Sequence, residues 1–250
     1  MSTALSRKSL TVSGQATAIL NLLFLGGAPR NYAWFKVGSG LNAQAFRMPP
    51  YPPLSIWPVA LARALRGEPS IVRAAVAGLD LQGSRPRDVR VCFAEIAMPE
   101  TFGLDQREPV ITPEQERIAY AGLEGFSLAP TAVLDQGNSL LALWAITPPV
   151  ALDSESGWAS YIEAQRALAV AVGGRVDEET EPLPTGQPVR GEIPTARVPA
   201  FSPLRYAVHI PGSAASGVPG RVSMTVYNPE NTYPLEQVAG ACAPQKKGGK

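Results

Sequence analysis

Few side chains in this chain of 250 residues could carry out catalysis. The chain has a single histidine, His209, which any serine or cysteine triad would have to use, and it contains no Gly-x-Ser-x-Gly turn. Cys92 and Cys242 do not have the spacing of a metal site, and no phosphate-binding Gly-x-x-x-x-Gly-Lys-Ser/Thr loop is present. Glu95 stands out because it interrupts the apolar segment 90–97, which is typical of a buried strand. A carboxylate there can offer one ligand to a divalent metal, although Mg²⁺ takes several hard oxygen ligands.

A second feature is a β-hairpin in the middle of the chain. The segments on either side of Gly137-Asn138 are apolar, and the second of them ends in Trp144. Strand, Gly-Asn turn and strand together predict a hairpin over 131–146. Because both arms are apolar, we expect the hairpin to lie at the centre of a sheet, with the tryptophan in the core.

This hairpin resembles one in the RepB-like primases of plasmids and phages, which are members of the archaeo-eukaryotic primase superfamily. The pattern in that family is roughly Ser-Gly-x-Gly-x-His-x-Tyr-Trp, and Gly137, Asn138, Leu140 and Trp144 fit it. Leu141 stands at the position of the family's histidine, which contacts the nucleotide phosphates. A leucine side chain has no hydrogen-bond donor and cannot make that contact. The resemblance implies that Gly137 and Asn138 lie where nucleotide or nucleic acid binds.

The same resemblance gives Glu95 a role. The family's first motif places two carboxylates at i and i+2 of one strand, where they share a face and bind divalent metal. Glu95 falls at the first position and Ala97 at the second. The resemblance therefore implies Glu95 as the catalytic and metal-binding carboxylate, with Mg²⁺ or Mn²⁺ if the protein is active and no cofactor otherwise. The alternative is that Glu95 is an exposed or hydrogen-bonded strand residue without catalytic function.

A third stretch extends the resemblance toward the C-terminus. Residues 173–177 are Gly-Gly-Arg-Val-Asp, and segment 189–197 resembles the family's Arg-x-Pro-Gly-Thr-x-Asn loop. Arg190 matches the arginine of that loop, and Arg197 follows it. Guanidinium groups bind phosphate through paired hydrogen bonds, so both arginines are candidate nucleic-acid contacts. A solvated surface is the alternative for the arginines of this chain.

The pattern of apolar residues predicts an α+β fold with a mostly antiparallel central sheet flanked by helices. The resemblance implies the primase-polymerase type of this fold, with an RRM-like core. We expect one domain over 1–242 and a flexible Gly/Lys tail at 243–250. Helices are predicted at 13–25, 57–66, 71–81, 112–123, 156–172 and 234–239, and a strand is the alternative for the end of the segment 71–81. Strands are predicted at 35–37, 43–47, 90–97, 131–146, 206–210 and 222–227.

Composition sets limits on the function. Hydrophobic residues make up 45% of the chain, charged residues 17%, and the net charge is +1. This balance gives no general attraction to nucleic acid but permits a local basic face. The apolar run at 16–25 is shorter than the roughly 20 residues that cross a membrane and precedes no signal-peptidase site. The two distant cysteines favour a reducing, cytoplasmic setting.

Together these features predict a primase-polymerase-like, nucleic-acid-binding protein of a plasmid, phage or other mobile element, with incomplete catalytic motifs. It would act in replication or assembly, with DNA or RNA and replication or mobile-element proteins as partners and without a membrane. One alternative is an active DNA primase or nucleotidyltransferase that uses Glu95 with a divalent metal. Another is a structural subunit of a multiprotein complex.

Overall fold

The computed structural model describes residues 10–24, 32–37, 44–48, 71–79, 86–97, 112–174, 207–214 and 221–242. The helices within these ranges are α1 (Val12–Phe24), α2 (Pro113–Glu124), α3 (Glu155–Ala171) and α4 (Leu235–Cys242). The first five strands are β1 (Ala33–Val37), β2 (Gln44–Met48), β3 (Val72–Ala75), β4 (Ala77–Leu79) and β5 (Pro86–Ala97). The remaining strands are β6 (Ala132–Asp135), β7 (Ser139–Ala151), β8 (Ala207–His209), β9 (Ser223–Tyr227) and β10 (Thr232–Tyr233).

The strands form two sheets. Sheet 1 has the order β4-β5-β7-β6-β9, and sheet 2 has the order β2-β1-β3-β8. Neighbours along both orders pair antiparallel, whereas the short strand β10 pairs with β7 in parallel. The chain crosses from sheet 2 to sheet 1 at Val76, between β3 and β4. The predicted α+β fold, with mostly antiparallel strands and flanking helices, is confirmed.

Two apolar cores separate three layers. The first core lies between one face of sheet 1 and helices α2, α3 and α4, and it contains Ala142 and Trp144 of β7. The second core lies between the opposite face of sheet 1 and a layer made of α1 and sheet 2, and it contains Leu141 and Leu143. Side chains alternate along a strand, so β7 buries apolar side chains on both faces. This double burial is the reason why the sequence of β7 is a continuous apolar run.

The central hairpin is confirmed in its position. β7 pairs with β5 on one side and β6 on the other, and β6 in turn pairs with β9, so both arms lie inside the sheet. In the turn, the Asp135 Oδ1 accepts a hydrogen bond from the Gly137 N–H at 2.8 Å, and the Gln136 N–H donates to the Ser139 carbonyl at 2.9 Å. Gly137 has φ = 91°, a conformation that costs a glycine little.

Capping residues that are recognisable in the sequence fix the starts of α2 and α3. Thr112 accepts from the Gln115 N–H, and the Gln115 side chain accepts from the Thr112 N–H, so α2 begins with a capping box followed by Pro113. Ser154 accepts from the Gly157 N–H and caps α3. These two predicted helices, together with α1 and α4, are confirmed to within a few residues at each end.

The helix predicted at 71–81 is wrong, and the strand that was the alternative for its end is present as β4. This segment forms β3 and β4, with Val72 and Ala74 in the second core and Ala75 and Ala77 in the first. A segment that is apolar on both faces has no alternation, so the spacing of its apolar residues does not distinguish a buried strand from a helix. Tertiary burial therefore decided its conformation.

Other predicted segments lie outside the described residues. These are the helix at 57–66, the loop that carries Arg190 and Arg197, and the tail at 243–250. Among the helices that the structure describes, none is long and apolar enough to cross a membrane.

Trp144 is the largest fully buried side chain of the described core, with no exposed surface. Its Nε1–H donates to the Leu128 carbonyl at 2.9 Å, and the Phe126 ring meets its indole edge-on at a centroid distance of 5.8 Å. The indole therefore joins β7 to the segment that follows α2, through both apolar packing and one hydrogen bond.

We expect Trp144→Ala to lower the free energy of unfolding by about 3–5 kcal/mol, because it opens a large cavity in the first core. Trp144→Phe keeps an aromatic ring but leaves the Leu128 carbonyl without its donor, so we expect a smaller loss of about 1–3 kcal/mol. Urea unfolding followed by circular dichroism measures both. A midpoint for Trp144→Ala equal to that of the parent protein would show that the side chain contributes no packing energy.

His209 lies opposite Arg73 in the pairing of β8 with β3. The Arg73 Nε–H donates to the His209 Nε2 at 2.6 Å, so the neutral imidazole carries its proton on Nδ1. That Nδ1 is buried and has no hydrogen-bond partner. Burial, followed by the charge of Arg73, lowers the His209 pKa from 6.5 to about 4.

This pKa predicts a loss of stability in acid. The unfolded chain takes up a proton on His209 as the pH falls below 6.5, whereas the folded chain does so only near pH 4. Between these values the unfolded state binds more protons, so the free energy of unfolding falls with the pH, by about 3 kcal/mol in total for this group. The measurement is urea unfolding from pH 7.5 to pH 4, with His209→Gln as the variant that cannot titrate. The same pH dependence in both proteins would contradict the assignment.

Candidate functional site

Glu95 and Leu141, which belong to two different sequence motifs, are direct neighbours in sheet 1. In the pairing of β5 with β7, Glu95 lies opposite Leu141, and Ala97 lies opposite Ser139. Residues directly opposite each other in an antiparallel pair project from the same face of the sheet. The candidate carboxylate and the position of the family's phosphate-binding histidine therefore share one small region.

Leu141 belongs to an apolar row that crosses the sheet. Its partner in β6 is Leu134, whose own partner in β9 is Met224. All three side chains lie in the second core, and Leu141 is only 4% exposed. Glu95 stands at one end of this row. A phosphate group placed beside Leu141 would lose its hydration and receive no hydrogen bond from the leucine side chain. Binding of a phosphate there is therefore unfavourable.

The carboxylate of Glu95 already has a protein partner. The Ser139 hydroxyl donates to the Glu95 Oε1 at 2.8 Å, and Ser139 is itself buried. Glu95 is half-buried, so this hydrogen bond compensates part of the cost of removing the carboxylate from water. The geometry is that of a hydrogen-bonded strand residue, which was one of the two interpretations of Glu95.

The described residues do not make a complete divalent-metal site. Ala97, at the second carboxylate position, has no oxygen in its side chain to offer a metal. Within the described ranges, no group of three or more His, Cys, Asp or Glu side chains lies close enough together to hold a metal ion. One carboxylate satisfies only one of the several oxygen positions that Mg²⁺ takes.

Helix α3 supports the strand that carries Glu95. β4 pairs with β5 only up to Val89, and beyond that point the edge of β5 faces α3. The Gln165 side chain donates to the Phe93 carbonyl at 2.9 Å and accepts from the Phe93 N–H at 2.7 Å. The Tyr161 hydroxyl donates to the Val91 carbonyl at 3.0 Å. Side chains one turn apart on α3 thus replace a neighbouring strand and satisfy backbone groups that burial would otherwise penalise.

Gly174, the second glycine of the pair that follows α3, lies against the backbone of Glu95. A Cβ on Gly174 would lie 3.1 Å from the Glu95 carbonyl oxygen and 3.4 Å from the Ala94 Cβ. Only glycine permits so close an approach without displacement of the strand. The Gly-Gly segment and the Glu95 strand, which the sequence resemblance linked, are therefore in contact. The residues that follow, among them Arg190 and Arg197, lie outside the described ranges.

The Gly137-Asn138 turn lies at the same end of sheet 1. Ser139, the residue after the turn, is the partner of Ala97 at the end of β5. Of the predicted site residues, the structure thus brings Glu95, Gly137 and Asn138 to one end of the sheet. Sequence inspection missed Ser139 as the partner of Glu95, because the pairing of β5 with β7 depends on register.

The cysteines take no part in this site. Cys92 is a buried free thiol in the first core, and burial, followed by the proximity of Cys242, raises the pKa of its thiol far above the ordinary value. A thiol whose pKa is raised in this way is not an activated nucleophile at neutral pH.

We expect Gln165→Ala to destabilise the protein by about 1–3 kcal/mol, because it removes the two hydrogen bonds that this side chain makes with the Phe93 N–H and carbonyl at a covered strand edge. Ser160→Ala, at an exposed position of the same helix, is the matched control and should change stability by less than about 0.5 kcal/mol. Amide hydrogen exchange at Phe93 provides the local measurement. If the Phe93 amide remains as protected in Gln165→Ala as in the parent protein, the side chain is not its partner.

No protein-family model matches this chain, and no curated protein matches it. Among solved structures it is similar to the archaeo-eukaryotic primase domain of the cyanophage S-2L primase-polymerase, with 13% identity, 90% of this chain and 96% of that chain covered, and a TM-score of 0.49. It is similar to primase RepB′, with 12% identity, 92% of this chain and 62% of that chain covered, and a TM-score of 0.43. It is also similar to the catalytic domain of primase RepB′ in complex with initiator DNA, with 10% identity, 91% and 93% covered, and a TM-score of 0.44. In fold, the chain is similar to primase and primase-polymerase domains.

Proposed function

We propose that this protein is a primase-polymerase-like nucleic-acid-binding protein whose nucleotide-transfer site is incomplete. One observation carries the proposal. The residue directly opposite Glu95 is Leu141, which is buried in the second core. In the family that the sequence resembles, this position holds the histidine that contacts the nucleotide phosphates. An apolar side chain packed into a core supplies no donor to a phosphate.

The chemistry of the neighbouring positions points the same way. Template-directed nucleotide transfer needs divalent metal to align the attacking hydroxyl and the triphosphate. Ala97 replaces the second carboxylate of the motif, and the Glu95 carboxylate is engaged by Ser139. A protein with this site would bind nucleic acid without extending it, in replication or in assembly of a mobile element. Arg190 and Arg197 are its candidate phosphate contacts, and DNA or RNA is its partner.

A second candidate function is an active nucleotidyltransferase that uses Glu95. The observation in its favour is the contact between Gly174 and the Glu95 backbone. The chain leaves α3 beside the carboxylate strand, so a segment outside the described residues could supply a second carboxylate. In that case Mg²⁺ or Mn²⁺ would be the cofactor.

The experiment measures synthesis and binding on the same protein. With a primed single-stranded DNA template, nucleoside triphosphates and either Mg²⁺ or Mn²⁺, we expect no product. We expect the protein to bind the DNA at low salt, and Glu95→Ala to change binding only by a small electrostatic gain. Arg190→Ala should weaken binding and reduce the slope of log affinity against log salt by about one phosphate contact. Arg117→Ala, at an exposed position of α2, is the matched control and should bind like the parent protein.

Two outcomes would overturn the proposal. Template-directed synthesis that Glu95→Ala abolishes would establish the enzyme. Absence of oligonucleotide binding at low salt, where phosphate contacts are strongest, would favour a structural subunit of a complex.

A further inference from the structure

Gln136, the residue before the Gly137-Asn138 turn, is a buried residue whose side-chain amide has no partner in the described protein. Gln136 is only 9% exposed. Its backbone N–H donates to the Ser139 carbonyl, but within the described part of the chain no group forms a hydrogen bond with its side-chain amide. Covering an amide without a hydrogen-bond partner is unfavourable, and such groups are uncommon in folded proteins. A ligand that pairs with the amide would remove this cost.

The amide of Gln136 can be reached from solvent. Other buried polar atoms without a partner, such as the Ser213 Oγ and the His209 Nδ1, are sealed from water. The nitrogen and oxygen of the Gln136 amide are not sealed in this way. A ligand can therefore reach this amide, although most of the residue is covered by the protein.

The strand register places Gln136 beside the residues of the candidate site. The register of β6 with β7 continues for one more pair, in which the Gln136 N–H donates to the Ser139 carbonyl at 2.9 Å. Ser139 lies opposite Ala97 on its other side, and its hydroxyl donates to Glu95. Opposite residues of an antiparallel pair project from the same face. Gln136, Ser139 and Glu95 thus lie on one face, at the ends of three adjacent strands.

The charges at this end of sheet 1 disfavour a phosphate ligand. The segments 93–97 and 134–141, which meet there, contain Glu95 and Asp135 but no lysine, arginine or histidine. Carboxylates without a cation in these segments repel phosphate. A ligand that suits the Gln136 amide is uncharged and both donates and accepts hydrogen bonds. The edge of a nucleobase has this chemistry, and the bases of a single strand are free to present it.

We propose that Gln136 binds an adenine base of single-stranded nucleic acid. The inference rests on the proposed function and adds a residue that gives it a base preference. The amide oxygen accepts from the adenine N6 amino group, and the amide nitrogen donates to the adenine N7, which is a common pairing of glutamine with adenine. Guanine has two acceptors on the same edge and would leave the amide oxygen without a partner. Phosphate contacts made elsewhere position the strand, and the base contact at Gln136 specifies the sequence.

The test compares short fluorescein-labelled oligothymidylates that differ in one base. The first contains only thymine, the second contains one central adenine, and the third contains the deaza analogue of adenine, in which a carbon replaces N7. Each is titrated with the full chain at low salt, and binding is measured as anisotropy. Gln136→Leu removes the amide from a side chain of similar size. Gln237→Leu, at an exposed position of α4, is the matched control. Thermal unfolding of each variant shows whether it is folded at the temperature of the titration.

We expect the parent protein to bind the oligonucleotide with adenine roughly tenfold more tightly than the one with thymine alone. The deaza analogue should lose most of this preference, because it lacks the acceptor for the amide nitrogen. Gln136→Leu should bind all three oligonucleotides equally, with the salt dependence of the parent protein, since a base contact releases no counterions. Gln237→Leu should bind like the parent protein.

The outcomes separate this inference from the function on which it rests. If the parent protein binds none of the oligonucleotides at low salt, the proposed function and the base contact are both wrong. If it binds all three equally, or if Gln136→Leu keeps the preference for adenine, only the base contact is wrong. A preference that persists with the deaza analogue would also contradict it. Because this comparison uses the parent protein, it decides the question even if Gln136→Leu does not fold.

Discussion

Burial of sheet 1 on both faces is the constraint on which the rest of this structure depends. Helices α2 to α4 cover one face, and α1 with sheet 2 covers the other. A strand in this position must be apolar at every residue, as β7 is from Leu140 to Ile146. Polar side chains can then reach solvent only near the ends of the strands. Glu95, Ser139 and the Gly137-Asn138 turn lie at one such end. The fold therefore restricts polar side chains that could bind a ligand to the ends of the strands.

Double burial also fixes the register of the strands. A slip of β7 by one residue would move Trp144 from the first core into the second and would place Leu140 or Ala142 opposite Glu95. The pairing of Glu95 with Leu141 is therefore as firmly set as the packing of the core. α3 reinforces it from the side, since Gln165 and Tyr161 hold the backbone of β5 at an edge with which no described strand pairs. The same strand register thus determines both the packing of the core and the geometry of the candidate site.

The sequence predicted those features that depend on local chemistry. The Thr112 capping box, the Gly137 turn and the apolar arms of the hairpin each have a local signal, and the structure confirms them. The segment 71–81 had no such signal, because an apolar run without alternation is compatible with both helix and strand. Ser139 as the partner of Glu95, and Gln165 as the partner of Phe93, depend on register and on the approach of a helix to a sheet edge. Neither can be deduced from spacing along one chain.

The apolar residue at position 141 and the closure of the second core depend on each other. A buried leucine contributes roughly 1.5–3 kcal/mol of hydrophobic stabilisation, whereas a buried imidazole requires hydrogen-bond partners to offset its desolvation. The row that crosses the sheet from Leu141 offers only Leu134 and Met224 on that side. An imidazole at position 141 would lie directly opposite Glu95 of β5 and would bring a titratable pair to the edge of an apolar core. The present residues avoid that cost. With Leu141, Leu134 and Met224 in this row, the second core stays apolar up to the strand end where Glu95 meets Ser139.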